Sequence, residues 1–108
     1  MASNLVKAGF QVSGYDPNPK ALKRLKAAGG QPQPNTAAMA SEVDVIICAL
    51  PGPQALHDAV QHIAASGNRH LVVMETSTLD IQDKKAARDV LKSHSIVMLD
   101  CPLSGTGA

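Results

Sequence analysis

Four short stretches of this sequence carry groups that could bind a ligand. They are Asp16 before a proline, Leu50-Pro51, Ser77-Thr78 and Ser104-Gly105-Thr106-Gly107. A carboxylate after a strand can accept hydrogen bonds from ribose hydroxyls, and its charge repels a phosphate on that sugar. Hydroxyls and the successive N–H groups of a small-residue loop suit carboxylate or phosphate binding. Each stretch follows a segment that we predict to be a strand, so all four are candidate site residues.

Each stretch also has a structural interpretation, and both interpretations stay open at this point. Asp16 could cap a helix in an Asp-Pro turn, and Leu50-Pro51 could be a tight exit from a strand. For Ser77 and Thr78 the sequence favours helix capping. The glycine-containing stretch from Ser104 could be an ordinary chain end. The four histidines lie apart in the sequence and do not have metal-ligand spacing, so we expect no metal site.

The central strand of the predicted fold is an apolar run. Six of the seven residues from Val43 to Ala49 are apolar or small, without alternation, and Pro51 ends the run. This pattern predicts a strand buried on both faces, as in a parallel sheet covered by helices. Ligands of open α/β sheets bind beyond the carboxyl ends of such strands, which makes Leu50-Pro51 a prime candidate. Cys48 lies inside the run and is predicted to be an inert core thiol.

Strand and helix patterns alternate along the chain. The predicted strands are residues 10–16, 43–49, 71–74 and 95–100, with a short edge strand within 31–34. The predicted helices are residues 1–8, 20–28, 36–40, a segment after Pro53, and one from Asp80 that buries Ala86, Ala87, Val90 and Leu91. Helical connections between strands predict parallel pairing, so the fold class is α/β with a doubly wound parallel sheet.

Composition limits the classes of function. The chain has 108 residues and a formal charge of +1, and its two aromatic residues are Phe10 and Tyr15. A single domain fits this length, and neither nucleic acid nor a membrane surface is an expected partner. The two cysteines match no disulfide framework or metal motif, and no apolar stretch could span a bilayer. We expect a soluble, cytoplasmic protein.

Taken together, these stretches resemble the β-hydroxyacid dehydrogenases, the family that includes hydroxyisobutyrate dehydrogenase, tartronate semialdehyde reductase and phosphogluconate dehydrogenase. Residues 1–9 resemble the helix after the family's glycine loop, and Tyr15-Asp16-Pro17-Asn18-Pro19 resembles its second-strand exit. Residues 44–51 resemble its fourth strand and Leu-Pro turn. Ser77-Thr78 and residues 100–105 match its Ser-Thr pair and its Asp-x-Pro-Val-Ser-Gly motif. The similarity covers the whole chain in the family's order.

The resemblance implies an oxidoreductase that passes hydride between NAD and a small hydroxy acid. Asp16 would hold the adenosine ribose, Leu50 and Pro51 would line the cofactor, and Thr78 would reach toward the nicotinamide. Asp16 favours NAD as the cofactor, and NADP is the alternative. The implied residues for the substrate carboxylate are Ser104, Gly105 and Thr106.

Two departures from the family pattern are substitutions. Thr106 stands where many members have a second glycine, and we expect this difference to alter which substrate is bound. Ile81 replaces a proline that is common in the first turn of the helix after Ser-Thr, and we expect this change to be neutral.

The resemblance also implies parts that residues 1–108 do not contain. The family's first strand and Gly-x-Gly-x-x-Gly loop would precede Met1, and its proton-transfer lysine and helical second domain would follow Ala108. We therefore expect residues 1–108 to be a partial dinucleotide-binding domain, a Rossmann-like sheet lacking its first strand, with no catalytic residue of its own. Such a chain would bind NAD weakly and would not catalyse the reaction. It could form a homo-oligomer. The alternatives are a methyltransferase-like nucleotide-binding domain and a non-enzymatic α/β ligand-sensing module.

Overall fold

The computed structural model describes residues 2–102 as five helices and five strands in alternation. The helices are α1 (Ala2–Lys7), α2 (Pro19–Ala27), α3 (Thr36–Ala40), α4 (Pro53–Ala65) and α5 (Ile81–Ser93). The strands are β1 (Ser13–Gly14), β2 (Gln31–Pro32), β3 (Val45–Cys48), β4 (Val72–Glu75) and β5 (Val97–Asp100).

The strands form two parallel groups. β1 pairs with β2, and β3, β4 and β5 pair in that order, with every pair parallel. Within residues 2–102 no ladder joins β1 to β3, so each of these strands has one edge without a partner. The predicted α/β class with an incomplete parallel sheet is confirmed.

Local sequence signals determine the ends of the first helices. Gly9 and Gly29 follow α1 and α2 with φ angles of 96° and 97°, which glycine adopts without a steric penalty. Asn18 and Asn35 precede α2 and α3, and each side chain accepts a backbone N–H of the first turn. Asp80 occupies the corresponding position before α5, but its side chain makes no capping hydrogen bond.

The main core lies between β3–β5 and one layer of helices. Helices α4 and α5 contact each other, and α3 contacts α4. Every second strand residue points toward the helices, and the apolar residues that recur about every 3.6 positions in each helix pack against them. The largest fully buried apolar side chains of this core are Leu56, Val60, Ile63, Leu71, Val73 and Leu91.

The prediction that the central strand is buried on both faces is wrong. In β3, Ile46 is 5 % exposed whereas Val45 and Ile47 are 50 % and 38 % exposed. The same face of the sheet continues at Val97 and Leu99 of β5, both about half exposed. Among residues 2–102 the helices that pack on β3–β5 cover one face of the sheet. The exposed face formed by Val45, Ile47, Val97 and Leu99 is called the open face below.

The predicted buried side of α5 is also partly wrong. Ala86 is exposed and Val90 is half-buried, whereas Lys84 is 6 % exposed. Lys84 is buried because its ammonium group reaches Asp100 at the end of β5, with Nζ 2.5 Å from Oδ1. The apolar stem of a lysine can lie in a core while its charge is paired at the margin.

Strand β1 is shorter than predicted, with two residues in place of the segment 10–16. Its partner β2 is equally short, and Pro32 and Pro34 in that segment cannot donate hydrogen bonds to a ladder. A strand with one short partner pairs along that partner's length only.

The open face and the unpaired edge of β3 predict self-association of residues 1–108, because exposed apolar strands at a sheet edge pair with other copies. Replacing Ile47 with lysine should lower the associated fraction at least about twofold, since a charged side chain at an edge opposes strand pairing. Sedimentation velocity over a range of concentrations measures this. The matched control is Ile81→Lys, which removes a 63 % exposed isoleucine from α5. Equal effects of both variants would contradict association through the sheet.

The thiol of Cys48 is buried beside an acid. Cys48 pairs in register with Glu75 of β4, so both side chains point toward the helices. Burial raises the pKa of Cys48 from 9.0 to about 12, and the charge of Glu75 adds to this rise. Both effects disfavour the thiolate.

The Cys48 thiol should make stability depend on alkaline pH. The unfolded chain releases this proton near pH 9.0, whereas the folded chain keeps it up to about pH 12. The contribution is therefore complete below pH 9 and is lost as pH rises toward 12. Urea unfolding of wild type and Cys48→Ala at several pH values measures it. The variant should have a shallower decline above pH 9, whereas Cys101→Ala should decline like wild type. Parallel curves for Cys48→Ala and wild type would disprove the effect.

Candidate functional site

The parallel register brings three strand ends to one edge of the sheet. Cys48 is paired with Glu75, and Glu75 is paired with Asp100. The segments that follow β3 and β4 therefore leave the sheet side by side, as the carboxyl ends of parallel strands do. This edge carries two of the four predicted stretches.

Leu50 and Ser77 are joined directly across this edge. The backbone N–H of Leu50 donates to Ser77 Oγ over 2.6 Å. Leu50 is half-buried and packs against the main core, and Ser77 is 6 % exposed. The interpretation of Ser77 and Thr78 as helix caps is wrong, because Asp80 holds the N-cap position of α5. The Ser77 hydroxyl instead fixes the turn after β3.

Thr76 makes a second link between the same segments. Its backbone N–H and its hydroxyl both donate to the carbonyl of Cys48, over 2.9 and 2.7 Å. Pro51 and Thr78, the next predicted site residues, are exposed beyond these bonds. The result is a firmly joined pair of turns with an accessible proline and an accessible hydroxyl.

Glu75 is a further candidate site residue, which the sequence patterns did not indicate. It has no solvent exposure, and its Oε1 accepts the backbone N–H of Ser77 over 2.6 Å. Its Oε2 is buried and has no hydrogen-bond partner within residues 2–102. The available signal was an acidic residue at the end of an apolar run, directly before three hydroxyl residues.

Asp16 lies in the exposed loop between β1 and α2. Its Oδ1 accepts the backbone N–H of Asn18 over 2.8 Å, and Asn18 is the N-cap of α2. The capping role therefore belongs to Asn18, and Asp16 closes the turn before it. Among the hydrogen bonds of residues 2–102, Asp16 Oδ2 takes part in none, which leaves an acceptor oxygen facing solvent.

The structure brings together only some of the predicted residues. Leu50, Pro51, Ser77 and Thr78 share one edge, whereas Asp16 follows a strand of the other group. Ser104, Gly105 and Thr106 lie outside the described residues. The segment leading to them begins at Asp100, which Lys84 holds by an ion pair.

Other kinds of site find no counterpart in the part of the chain that the structure describes. It contains no group of three His, Cys, Asp or Glu residues arranged to hold a metal ion. Its helices also lack the combination of length and apolarity needed to cross a membrane.

The sequence matches a family model over its whole length. Residues 1–108 match the NAD binding domain of 6-phosphogluconate dehydrogenase. The match confirms the resemblance found in the sequence, and it favours the dehydrogenase interpretation over the methyltransferase and ligand-sensing alternatives.

Named relatives point the same way. The chain is 30 % identical over 105 residues to a probable 3-hydroxyisobutyrate dehydrogenase of Mycobacterium tuberculosis, covering 97 % of this chain and 36 % of the relative. It is 32 % identical over 111 residues to L-threonate dehydrogenase of Pectobacterium atrosepticum, covering 99 % and 36 %. The chain thus spans about a third of the length of these relatives.

A solved structure has the same fold. It is that of Mycobacterium tuberculosis 3-hydroxyisobutyrate dehydrogenase with L-serine, which superposes with a TM-score of 0.92 at 29 % identity, over 96 % of this chain and 36 % of that one. The likeness confirms the Rossmann-like arrangement of the parallel strands. The alternating helices and strands and the shared edge where the strands end agree with the family match over residues 1–108. The chain belongs to the NAD-binding domain family of 6-phosphogluconate dehydrogenase.

Proposed function

We propose that this chain binds NAD as part of an oxidoreductase that transfers hydride between the cofactor and a small hydroxy acid. The observation that carries the proposal is the Leu50–Ser77 hydrogen bond. It holds two turns together at the carboxyl edge of a parallel sheet, where α/β folds bind nucleotides. The family match to an NAD binding domain supports the same function.

The described residues fit a dinucleotide. Asp16 offers an unpaired carboxylate oxygen to the hydroxyls of the adenosine ribose. Leu50 and Pro51 offer an apolar and backbone surface for the middle of the cofactor, and the exposed Thr78 hydroxyl is free to reach toward the nicotinamide end. Bound NAD would supply the hydride acceptor, and these residues would orient it and exclude water from one side.

The substrate is proposed to be a small hydroxy acid held by its carboxylate. The proposed partners are Ser104, Gly105 and Thr106, whose hydroxyls and backbone N–H groups suit a carboxylate. The names of the relatives, 3-hydroxyisobutyrate and L-threonate dehydrogenase, support this substrate class. The Lys84–Asp100 ion pair joins α5 to the end of β5, the last described strand before these residues.

The proposed form of the protein follows from the same comparisons. Residues 1–108 would be a partial dinucleotide-binding domain of a longer enzyme, supported by the third of the relatives' length that they span. We propose a cytoplasmic protein, supported by the two free cysteines. The open face of the sheet supports association with a further copy.

We predict that the isolated chain binds NAD with a dissociation constant in the millimolar range. Residues 1–108 contain no Gly-x-Gly-x-x-Gly loop, whose amides hold the pyrophosphate in other dinucleotide-binding domains. Two or three missing charge-assisted hydrogen bonds at about 1.5–3 kcal/mol each remove roughly half or more of a micromolar binding free energy of about 8 kcal/mol. Titration calorimetry or NMR shift mapping measures this affinity. A micromolar dissociation constant would contradict the predicted weak binding. NMR chemical-shift changes confined to the opposite edge of the sheet would contradict the proposed site.

Asp16 should decide between NAD and NADP. Asp16→Asn keeps the oxygen that accepts the Asn18 N–H but loses the charge, so NAD binding should weaken about tenfold. Repulsion of the 2′-phosphate should fall at the same time, so the ratio of NADP to NAD affinity should rise. NMR titrations with each cofactor measure both effects.

The control for this variant is Asp89→Asn, which removes an exposed carboxylate from α5. It changes the net charge of the chain equally but lies outside the site. If both variants change NAD affinity equally, Asp16 acts through net charge and its proposed contact with the ribose is wrong.

A further inference from the structure

Glu75 is held in a state that a structural role alone does not explain. Its carboxylate has no solvent exposure, and one of its two oxygens has no hydrogen-bond partner within residues 2–102. A buried polar group with unmet hydrogen-bonding capacity lowers stability. Proteins keep such groups where function requires them.

The satisfied oxygen of Glu75 begins a chain of hydrogen bonds. Glu75 Oε1 accepts the Ser77 N–H over 2.6 Å, and Ser77 Oγ accepts the Leu50 N–H over 2.6 Å. The Glu75–Ser77 bond is buried and the Ser77–Leu50 bond is partly buried, since Ser77 is 6 % exposed and Leu50 is half-buried. We call these three residues the Glu75–Ser77–Leu50 relay.

The relay is not needed to pair the strands that it connects. The carboxyl ends of β3 and β4 are already tied by the N–H and hydroxyl of Thr76, which both reach the Cys48 carbonyl. The ladder below them runs from Val45 to Cys48. Loss of the relay would therefore leave the sheet in place and release only the turn at Leu50.

We propose that Glu75 is a positioning residue for ligand binding. Its carboxylate fixes Ser77, and the Ser77 hydroxyl fixes the Leu50-Pro51 turn against which the cofactor would lie. The identity of that ligand as NAD rests on the proposed function, whereas the mechanical link from Glu75 to Leu50 does not. Cofactor affinity then depends on a side chain that does not touch the cofactor.

The first experiment measures the link without ligand. Amide hydrogen exchange at Leu50 is followed by NMR in the 108-residue chain and its variants. Glu75→Met has a similar volume and no acceptor oxygen, and it should speed exchange at Leu50 roughly fivefold, the effect of losing one hydrogen bond. Glu75→Gln keeps an acceptor for the Ser77 N–H and should exchange like wild type. Unchanged exchange in Glu75→Met would overturn the relay.

The matched control is Thr76→Val. It removes a buried hydroxyl from the same segment but leaves Glu75, Ser77 and Leu50 joined. Its Leu50 exchange should stay within twofold of wild type once global unfolding is accounted for. If Thr76→Val speeds Leu50 exchange as much as Glu75→Met does, general loosening of the edge explains the effect and the relay is wrong.

The second experiment measures NAD binding to the same proteins by NMR titration. Affinity should fall roughly fivefold in Glu75→Met, remain near wild type in Glu75→Gln, and be unaffected in Thr76→Val. Equal losses in Glu75→Met and Glu75→Gln would overturn the role of the acceptor oxygen. If the Glu75→Met chain does not fold, Ser77→Ala tests the Leu50 end of the relay. Its NAD affinity should also fall about fivefold, and unchanged affinity would overturn the proposal.

The two experiments separate the two hypotheses. If Leu50 exchange responds to Glu75 but the wild-type chain binds no NAD, the proposed function fails and the mechanical link stands. If NAD binds and amide exchange at Leu50 does not change in the Glu75 variants, the proposed function stands and the positioning role is overturned.

Discussion

The in-register ending of β3, β4 and β5 is the constraint on which the site depends. Because Cys48, Glu75 and Asp100 are paired across the three strands, the chain must leave the sheet three times at one place. Backbone groups that leave a ladder need new partners. Here the Thr76 N–H and hydroxyl reach the Cys48 carbonyl, and the Leu50 N–H reaches the Ser77 hydroxyl. The bond from Leu50 to Ser77 also shapes the turn that would be offered to a ligand.

Local patterns were sufficient to predict most of the fold. The order of helices and strands follows from periodicities that extend over a few residues. Parallel pairing followed from the helical connections. The site was predictable only as a set of strand ends, because the resemblance named Leu50, Pro51 and Thr78 without their contacts.

What the sequence could not reveal depends on residues that are distant in the chain. The Leu50–Ser77 bond joins positions 27 apart, and the burial of Lys84 depends on an acid 16 residues away. The apolar run at β3 predicted burial on both faces, but burial depends on which elements cover the strand. Within residues 2–102 the packed helices cover one face, so alternate residues of an unbroken apolar run stay exposed.

The division of the strands into two groups has a consequence for binding. Asp16 belongs to the loop after β1, whereas Leu50 and Thr78 follow strands of the other group. Helix α3 lies against both β1 and α4 and so connects the two groups. A dinucleotide held at Asp16 and at the Leu50 turn would bridge the groups directly. Within residues 2–102 no ladder joins the two groups of strands. A ligand that binds only the folded state stabilises that state, so a bound dinucleotide would strengthen the connection between the groups.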